Sequence, residues 1–233
     1  MRAPLAPALA VMAKVPGVGL VKSRLHSALT PDRATELYRC FLLDRLEAIT
    51  GLPGVSPVVA FTPAEAEGLM RVLAPARCRL VPQRGADLGE RLSALLAGLL
   101  EEGHPGAIAI DSDSPTLPMS YVSEAARLLG EGRPDVVLGP CEDGGYYLIG
   151  LRSPQPALFE GISWSTDAVL SATLAKARAA GLSVHLLPRW FDVDTEHDLR
   201  RLHAELAAGN GVAPRTAAFI RQLYGGVDRD PKS

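Results

Sequence analysis

Four apolar residues, Ala107-Ile108-Ala109-Ile110, run without a break into Asp111-Ser112-Asp113-Ser114-Pro115. A strand with no polar position has no face for water, so it belongs inside a sheet covered on both sides. A carboxylate at the end of such a strand is costly unless it has a partner. This junction predicts a mostly parallel sheet whose strand ends carry a ligand site.

The rest of the chain agrees with that frame. Apolar strand-like runs at Ala8–Ala13, Pro57–Phe61, Arg79–Val81, Asp135–Leu138, Tyr146–Leu151 and Ser183–Leu187 alternate with segments of helical period. The expected helices are Asp32–Thr50, one ending near Leu73, Asp87–Glu102, Met119–Leu129, Asp167–Ala180, Glu196–Ala208 and Pro214–Leu223. Thr62 followed by Pro63 reads as the start of the second helix. Alternation of this kind implies a single-domain α/β fold, doubly wound, over residues 1–225, with a loose polar tail at 226–233.

Composition narrows the function. The formal net charge is -2, which gives no general attraction for nucleic acid. No apolar run approaches the ~20 residues of a membrane helix, and Met1–Val11 lacks the layout of a signal peptide. Cys40, Cys78 and Cys141 are odd in number and far apart, so neither a disulfide framework nor a cysteine zinc site is indicated. The five histidines show no metal spacing. The expected setting is the cytoplasm, with no membrane and no nucleic-acid partner.

Several polar segments fall at predicted strand ends. Lys14-Val-Pro-Gly17-Val-Gly19-Leu-Val-Lys22-Ser-Arg24 combines glycines that allow close backbone approach with three cations. This suits phosphate, although it has neither the Walker nor the Rossmann glycine spacing. Its plainer reading is a solvated basic loop. Asp111 and Asp113 suit a hard cation such as Mg²⁺ or Mn²⁺; the alternative is a helix-capping turn. Glu142-Asp143-Gly144-Gly145 suits a tight turn approaching a ligand, or simply an Asp-Gly turn between strands. In Asp192-Val193-Asp194-Thr195, capping of the next helix accounts for one acid and not for both. Gln83-Arg84-Gly85 follows a strand and is placed to touch base or sugar. Trp164-Ser165-Thr166-Asp167 precedes a helix that Ser165 or Thr166 could cap.

Taken in order, Lys-x-Pro-Gly-x-Gly-x-Val-Lys-Ser-Arg-Leu, Leu-Tyr-Arg-x-Phe-Leu-Leu-Asp, Asp-Ser-Pro-Thr-Leu, Gly-Pro-x-Glu-Asp-Gly-Gly-Tyr-Tyr-Leu-Ile-Gly-Leu, Trp-Ser-Thr and Asp-Val-Asp-Thr form a pattern. It resembles a bacterial family of small glycosyltransferase-like proteins with the GT-A fold, often labelled as arsenosugar-biosynthesis or radical-SAM-associated transferases. The resemblance covers about residues 8 to 208. It implies a nucleotide-diphosphate-sugar transferase fold in which Asp111 and Asp113 correspond to the metal-binding Asp-x-Asp. Lys-Ser-Arg-Leu also resembles the phospholactate guanylyltransferases, and Asp-Val-Asp-Thr the molybdenum-cofactor nucleotidyltransferases. The first loop departs from the latter class, whose Gly-Gly-x-Ser/Thr-x-Arg-Met/Phe-Gly pattern is replaced.

Three functions follow as expectations. The first is metal-dependent glycosyl transfer from a nucleotide sugar to a small-molecule acceptor, and the second is nucleotidyl transfer from a nucleoside triphosphate to a phosphorylated or carboxylated small molecule. The third is a non-catalytic nucleotide-binding subunit, disfavoured by so many charged motifs at one sheet edge. Lys14, Gly17, Gly19, Lys22, Arg24, Gln83 and Gly85 are expected to bind the nucleotide. Asp111, Asp113, Asp192 and Asp194 are expected to hold metal. Asp143 and Asp111 are expected to be catalytic, with Glu142, Gly144, Gly145, Trp164 and Ser165 on the acceptor. A homodimer is left open.

Overall fold

The computed structural model describes residues 5–17, 21–208 and 211–225. Gly19 and the expected tail at 226–233 lie outside the described residues.

The strands are β1 (Ala8–Lys14), β2 (Ser56–Thr62), β3 (Arg79–Pro82), β4 (Ala107–Ile110), β5 (Val136–Pro140), β6 (Tyr146–Leu151) and β7 (Val184–Leu186). They form one seven-stranded sheet in the order β3-β2-β1-β4-β6-β5-β7. Only β6 runs against its neighbours, β4 and β5. The helices are α1 (Pro31–Gly51), α2 (Glu67–Leu73), α3 (Leu88–Glu101), α4 (Met119–Gly130), α5 (Val169–Ala179), α6 (Glu196–Ala207) and α7 (Pro214–Gly225). The expected α/β, mostly parallel, doubly wound fold is what the chain adopts.

The period-2 alternation of β1 sorts the two layers. Leu9, Val11 and Ala13 pack with Leu42 and Leu46 of α1 and Val122 and Leu129 of α4. Ala8 and Ala10 face Leu92, Leu95, Leu96 and Leu99 of α3 on the other side. A third cluster lies off the sheet. Leu37 and Phe41 of α1, Leu199 and Leu202 of α6, and Phe219 and Ile220 of α7 enclose Phe191 and Val193 of the segment before α6. Asp44, buried on α1, accepts from the N–H groups of Arg215 (3.2 Å) and Thr216 (2.8 Å) and so holds the start of α7. All three cysteines are buried and free. No helix among the described residues is long and apolar enough to cross a membrane.

Three local expectations are corrected. Thr62 does not cap a helix, because β2 keeps pairing with β1 as far as Thr62 opposite Lys14. A short 3-10 turn, Ala64–Ala66, comes before α2. Neither Ser165 nor Thr166 caps α5, which starts at Val169 after Ala168. The first helix begins at Pro31, one residue early, with Thr30 accepting from the N–H of Arg33.

Candidate active site

The C-terminal ends of β1, β2, β3 and β4 open into a cleft of about 620 Å³ lined by Lys14, Lys22, Arg24, Arg91, Asp111 and Asp194 among others. Asp111 receives its position directly from β4. Its N–H donates to the carbonyl of Tyr147 (3.0 Å) on the antiparallel neighbour. Its carboxylate accepts from the N–H of Ser114 (3.3 Å) and the hydroxyl of Ser114 (2.7 Å). Burial and then the nearby Asp113 carboxylate push the Asp111 carboxyl up to about 6, against the pull of Ser114, Arg45 and Lys22.

The late segment reaches the same edge by alternation. Phe191 and Val193 are buried in the third cluster, so Asp192 and Asp194 turn the other way along an extended chain. The N–H of Val193 donates to the carbonyl of Asp113 (3.0 Å), which ties this segment to the β4 turn. Thr195 caps α6 by accepting from the N–H of Asp198, and Asp198 accepts in return from the N–H of Thr195 (2.8 Å). Capping therefore uses Thr195, leaving Asp194 to line the cleft and Asp192 to lie beside Asp143 and Cys141.

The four acids divide into two pairs. Asp113 and Asp194 are bridged by the Lys22 ammonium, 2.8 Å from a carboxylate oxygen of each. Only 4% of the Lys22 side chain is exposed. Burial alone would lower its pKa, but the two carboxylates overcome that and hold it above the ordinary lysine range. Asp194 answers in kind. Burial would raise it, yet Lys22, Arg24 and Lys14 hold it below the usual carboxylate range. Lys22 was expected on a donor phosphate. It lines the cleft, and its ammonium lies between these two acids. Asp113 and Asp194, expected on a metal, both contact this ammonium.

Asp192 is different. Burial, then Asp194, Asp143 and Asp111, push its carboxyl up to about 7. One oxygen each from Asp192 and Asp143 lies with the Cys141 sulfur within 4.8 Å of one another. Burial first, then Asp111, Asp192, Asp143 and Asp113, push the Cys141 thiol well up, so it stays protonated. A partly buried carboxylate whose near charged neighbours are acids suits an oxygen-seeking divalent cation. Asp192, Asp143 and Asp111 could hold one.

This charge cluster has a consequence for stability. Asp111 and Asp192 keep their protons to higher pH folded than unfolded. Between about pH 4 and 7 the folded chain therefore binds more protons, and stability falls as pH rises through that window. We expect the metal-free protein to lose about 1–3 kcal/mol between pH 5 and 7.5 from these groups. Millimolar Mg²⁺ should restore part of it. Melting temperatures with and without Mg²⁺ check this. A flat profile in wild type, or an unchanged slope in Asp192→Asn, would contradict it.

The remaining sequence-predicted residues fall out as follows. Lys14 is exposed at the cleft, as is Arg24, which lies 3.8 Å from Asp194. Gly17 has a φ of 84° and open space around it. Gln83 lines the cleft, but its amide N–H₂ donates to the carbonyls of Ala60 (2.8 Å) and Ala13 (3.2 Å), so it first ties strand ends together. Gly85 is needed for packing, because a side chain there would meet Glu90 and Arg91 at the start of α3. Ser165 lines the cleft with a φ of 63°.

Two residues expected on the acceptor have protein partners and do not line this cleft. Trp164, partly buried, packs edge-on to Tyr146 and lies over Gly89 of α3. Glu142 points the other way from Asp143 and forms a two-pronged ion pair with Arg201 (2.6 and 3.0 Å). Gly144, with a φ of 91°, is required by the turn itself, and the N–H of Gly145 donates to Asp143 (2.9 Å).

Sequence reasoning missed Tyr38, Arg45 and Arg91. Tyr38 accepts from the N–H of Lys14 (2.9 Å) and lies 3.1 Å from the Ser112 hydroxyl, joining α1 to both the β1 and β4 turns. Arg45 is buried and donates to the carbonyl of Ser114 beneath Asp111. Tyr38 belongs to the Leu-Tyr-Arg motif, and a charged Arg45 amid apolar helix positions was also a readable signal.

With the site in view, its kinship can be placed. Residues 45–166, more than half the chain, match the family model described as "Uncharacterized protein conserved in bacteria (DUF2064)". The chain belongs to the DUF2064 family. This DUF2064 member is 27% identical over 212 residues to a phosphoenolpyruvate guanylyltransferase of Nocardia farcinica, covering 87% of this chain and 86% of the relative. A structure from Desulfovibrio desulfuricans G20, described as a candidate nucleotide-diphospho-sugar transferase, superposes with a TM-score of 0.84 at 31% identity, covering 93% of this chain and 97% of that one. The inositol-1-phosphate CTP transferase of T. maritima shares the fold, with a TM-score of 0.53 at 17% identity over 94% and 98% of the chains. The transferase resemblance read from the motifs agrees with these relatives, and so does the expected enzyme class of nucleotide-dependent transferases.

Proposed function

We propose that this DUF2064 member is a metal-dependent nucleotidyltransferase that moves a nucleoside monophosphate, GMP in the first instance, from its triphosphate onto a phosphorylated carboxylic acid. The observation that carries this reading is the charge lining the cleft. Lys14 at the end of β1, Arg24 in the 3-10 turn Ser23–Ser27 and Arg91 of α3 line the cleft in addition to Lys22, which pairs with Asp113 and Asp194. A nucleoside triphosphate brings about four negative charges and a nucleotide sugar about two, so four cations beside three aspartates that a divalent ion would offset suit the triphosphate better. The N. farcinica relative adds support by its name and by matching most of both chains.

In this reading a phosphate oxygen of the acceptor attacks the α-phosphorus, the bond to the β-phosphate breaks, and pyrophosphate leaves. A phosphate acceptor is already ionised at pH 7, so no general base is required. Asp143, expected as a base, then serves the cation with Asp192 and Asp111. A divalent ion there would neutralise charge on the reacting phosphates. Lys14, Arg24 and Arg91 would hold the triphosphate tail, and Ser165 with the Gly144–Gly145 turn would face the acceptor.

Thermal shift with Mg²⁺ and a panel of nucleoside triphosphates and nucleotide sugars tests the donor class. A cognate triphosphate at about 100-fold its Kd should stabilise by about 2.7 kcal/mol, roughly 5–10 °C for a chain of this size. Pyrophosphate release from GTP with phosphoenolpyruvate as first acceptor tests the reaction. Glycosyl transfer is the second reading, favoured by the name of the D. desulfuricans structure. Stabilisation by nucleotide sugars and by no triphosphate would select it and reject ours.

A further inference from the structure

Lys22 is held with unusual firmness for a loop residue. Its backbone is left-handed, at φ 51° and ψ 40°, a conformation that costs a non-glycine residue free energy and persists only where the surroundings impose it. Its ammonium sits 2.8 Å from Asp113 of the β4 turn and 2.8 Å from Asp194 of the late segment. The side chain is almost wholly buried, and the Phe41 ring lies 5.9 Å from the ammonium. Two carboxylates from separate loops, converging on one buried point, make the arrangement that a divalent ion bridges in a metal site. Here the point is filled by the protein's own cation.

The other acids have no such internal partner. Asp192 places one carboxylate oxygen within 4.8 Å of an Asp143 oxygen and of the Cys141 sulfur. A second ion entering between Asp113 and Asp194, each 37% exposed at its side chain, would have to displace an ammonium held at 2.8 Å by both carboxylates and carried on a left-handed backbone. We propose that Lys22 is a resident cation standing in for a second divalent ion, so that the active site takes one divalent ion, on the Asp192 side, and is complete with it. The inference rests on the metal-dependent reading above and sharpens it to a stoichiometry.

The test is a count of bound Mn²⁺ by electron paramagnetic resonance and by calorimetry, on the full chain without nucleotide. Wild type should bind one Mn²⁺. Lys22→Met removes the charge while keeping the length, and should expose a second site and bind two. The double variant Lys22→Met/Asp194→Asn should return to one. Should Lys22→Met fail to fold, the acids decide alone. Asp192→Asn should weaken Mn²⁺ binding at least tenfold, while Asp113→Asn should leave it within about threefold of wild type. Two ions in wild type, one ion in folded Lys22→Met, or equal losses in Asp113→Asn and Asp192→Asn would overturn the inference and leave the nucleotidyl reading standing. No Mn²⁺ bound by wild type, with no Mg²⁺ effect on melting, would overturn both.

Discussion

Asp192→Asn is expected to lower the rate of nucleotidyl transfer by roughly 10³-fold, about 4 kcal/mol of transition-state stabilisation, while the fold stays intact. The size follows from what is lost. Asp192 is the partly buried acid whose carboxyl is pushed up to about 7 by burial and by Asp194, Asp143 and Asp111. A divalent ion would hold it ionised, and an amide offers the ion one neutral oxygen in place of a charge. The folded metal-free variant should even gain stability near pH 7.5, because an uncompensated charge has gone. Loss of activity with gained stability separates a functional role from a structural one. Steady-state kinetics at saturating Mg²⁺, beside a melting curve, reads both. Full activity in Asp192→Asn would remove this acid from the centre of the site.

Gly144→Ala is expected to cost about 2–4 kcal/mol of stability. Gly144 has a φ of 91°, which an L side chain resists. A methyl group there would also fall inside the backbone of Asp167, closer than atoms can pack. The turn cannot relax freely, since Gly144 accepts at its carbonyl from the N–H of Leu170 (2.9 Å) and Cys141 donates its N–H to Gly145 (3.0 Å). Denaturant unfolding measures the loss. A Gly145→Ala control should be milder, because its added methyl would meet only the movable Asp143 carboxylate. Equal effects at the two positions would mean that the turn is more pliable than its contacts imply.

Much of this architecture can be read from residue order. Ala107–Ile110 ends in Asp111 because a strand closed to water on both faces must deliver its first polar residue at the edge. Phe191-Asp192-Val193-Asp194 announces its own alternation, so convergence of four acids on one edge was foreseeable. What stayed hidden was long-range pairing. Lys22 and Asp194 are 172 positions apart, and nothing local distinguishes a lysine awaiting phosphate from one already neutralised by carboxylates. Register was hidden too. Thr62 carries a good capping hydroxyl, but its strand partner Lys14 claims its backbone first. Trp164 has the chemistry of a ligand platform and is drawn by Gly89 into packing, a choice made by a neighbour 75 residues earlier in the chain.

The burial of Phe191 and Val193 among α1, α6 and α7, away from the sheet, means that the two banks of the cleft are anchored in different packing layers. Asp111 rides on the sheet and Asp192 on the helical layer. A ligand that touches both acts as a rivet across a seam. Local opening that costs less than global unfolding would separate the two layers along that seam. Substrate and metal would then protect that layer from proteases and slow its amide exchange far more than they would in the central strands, whose protection does not depend on anything bound.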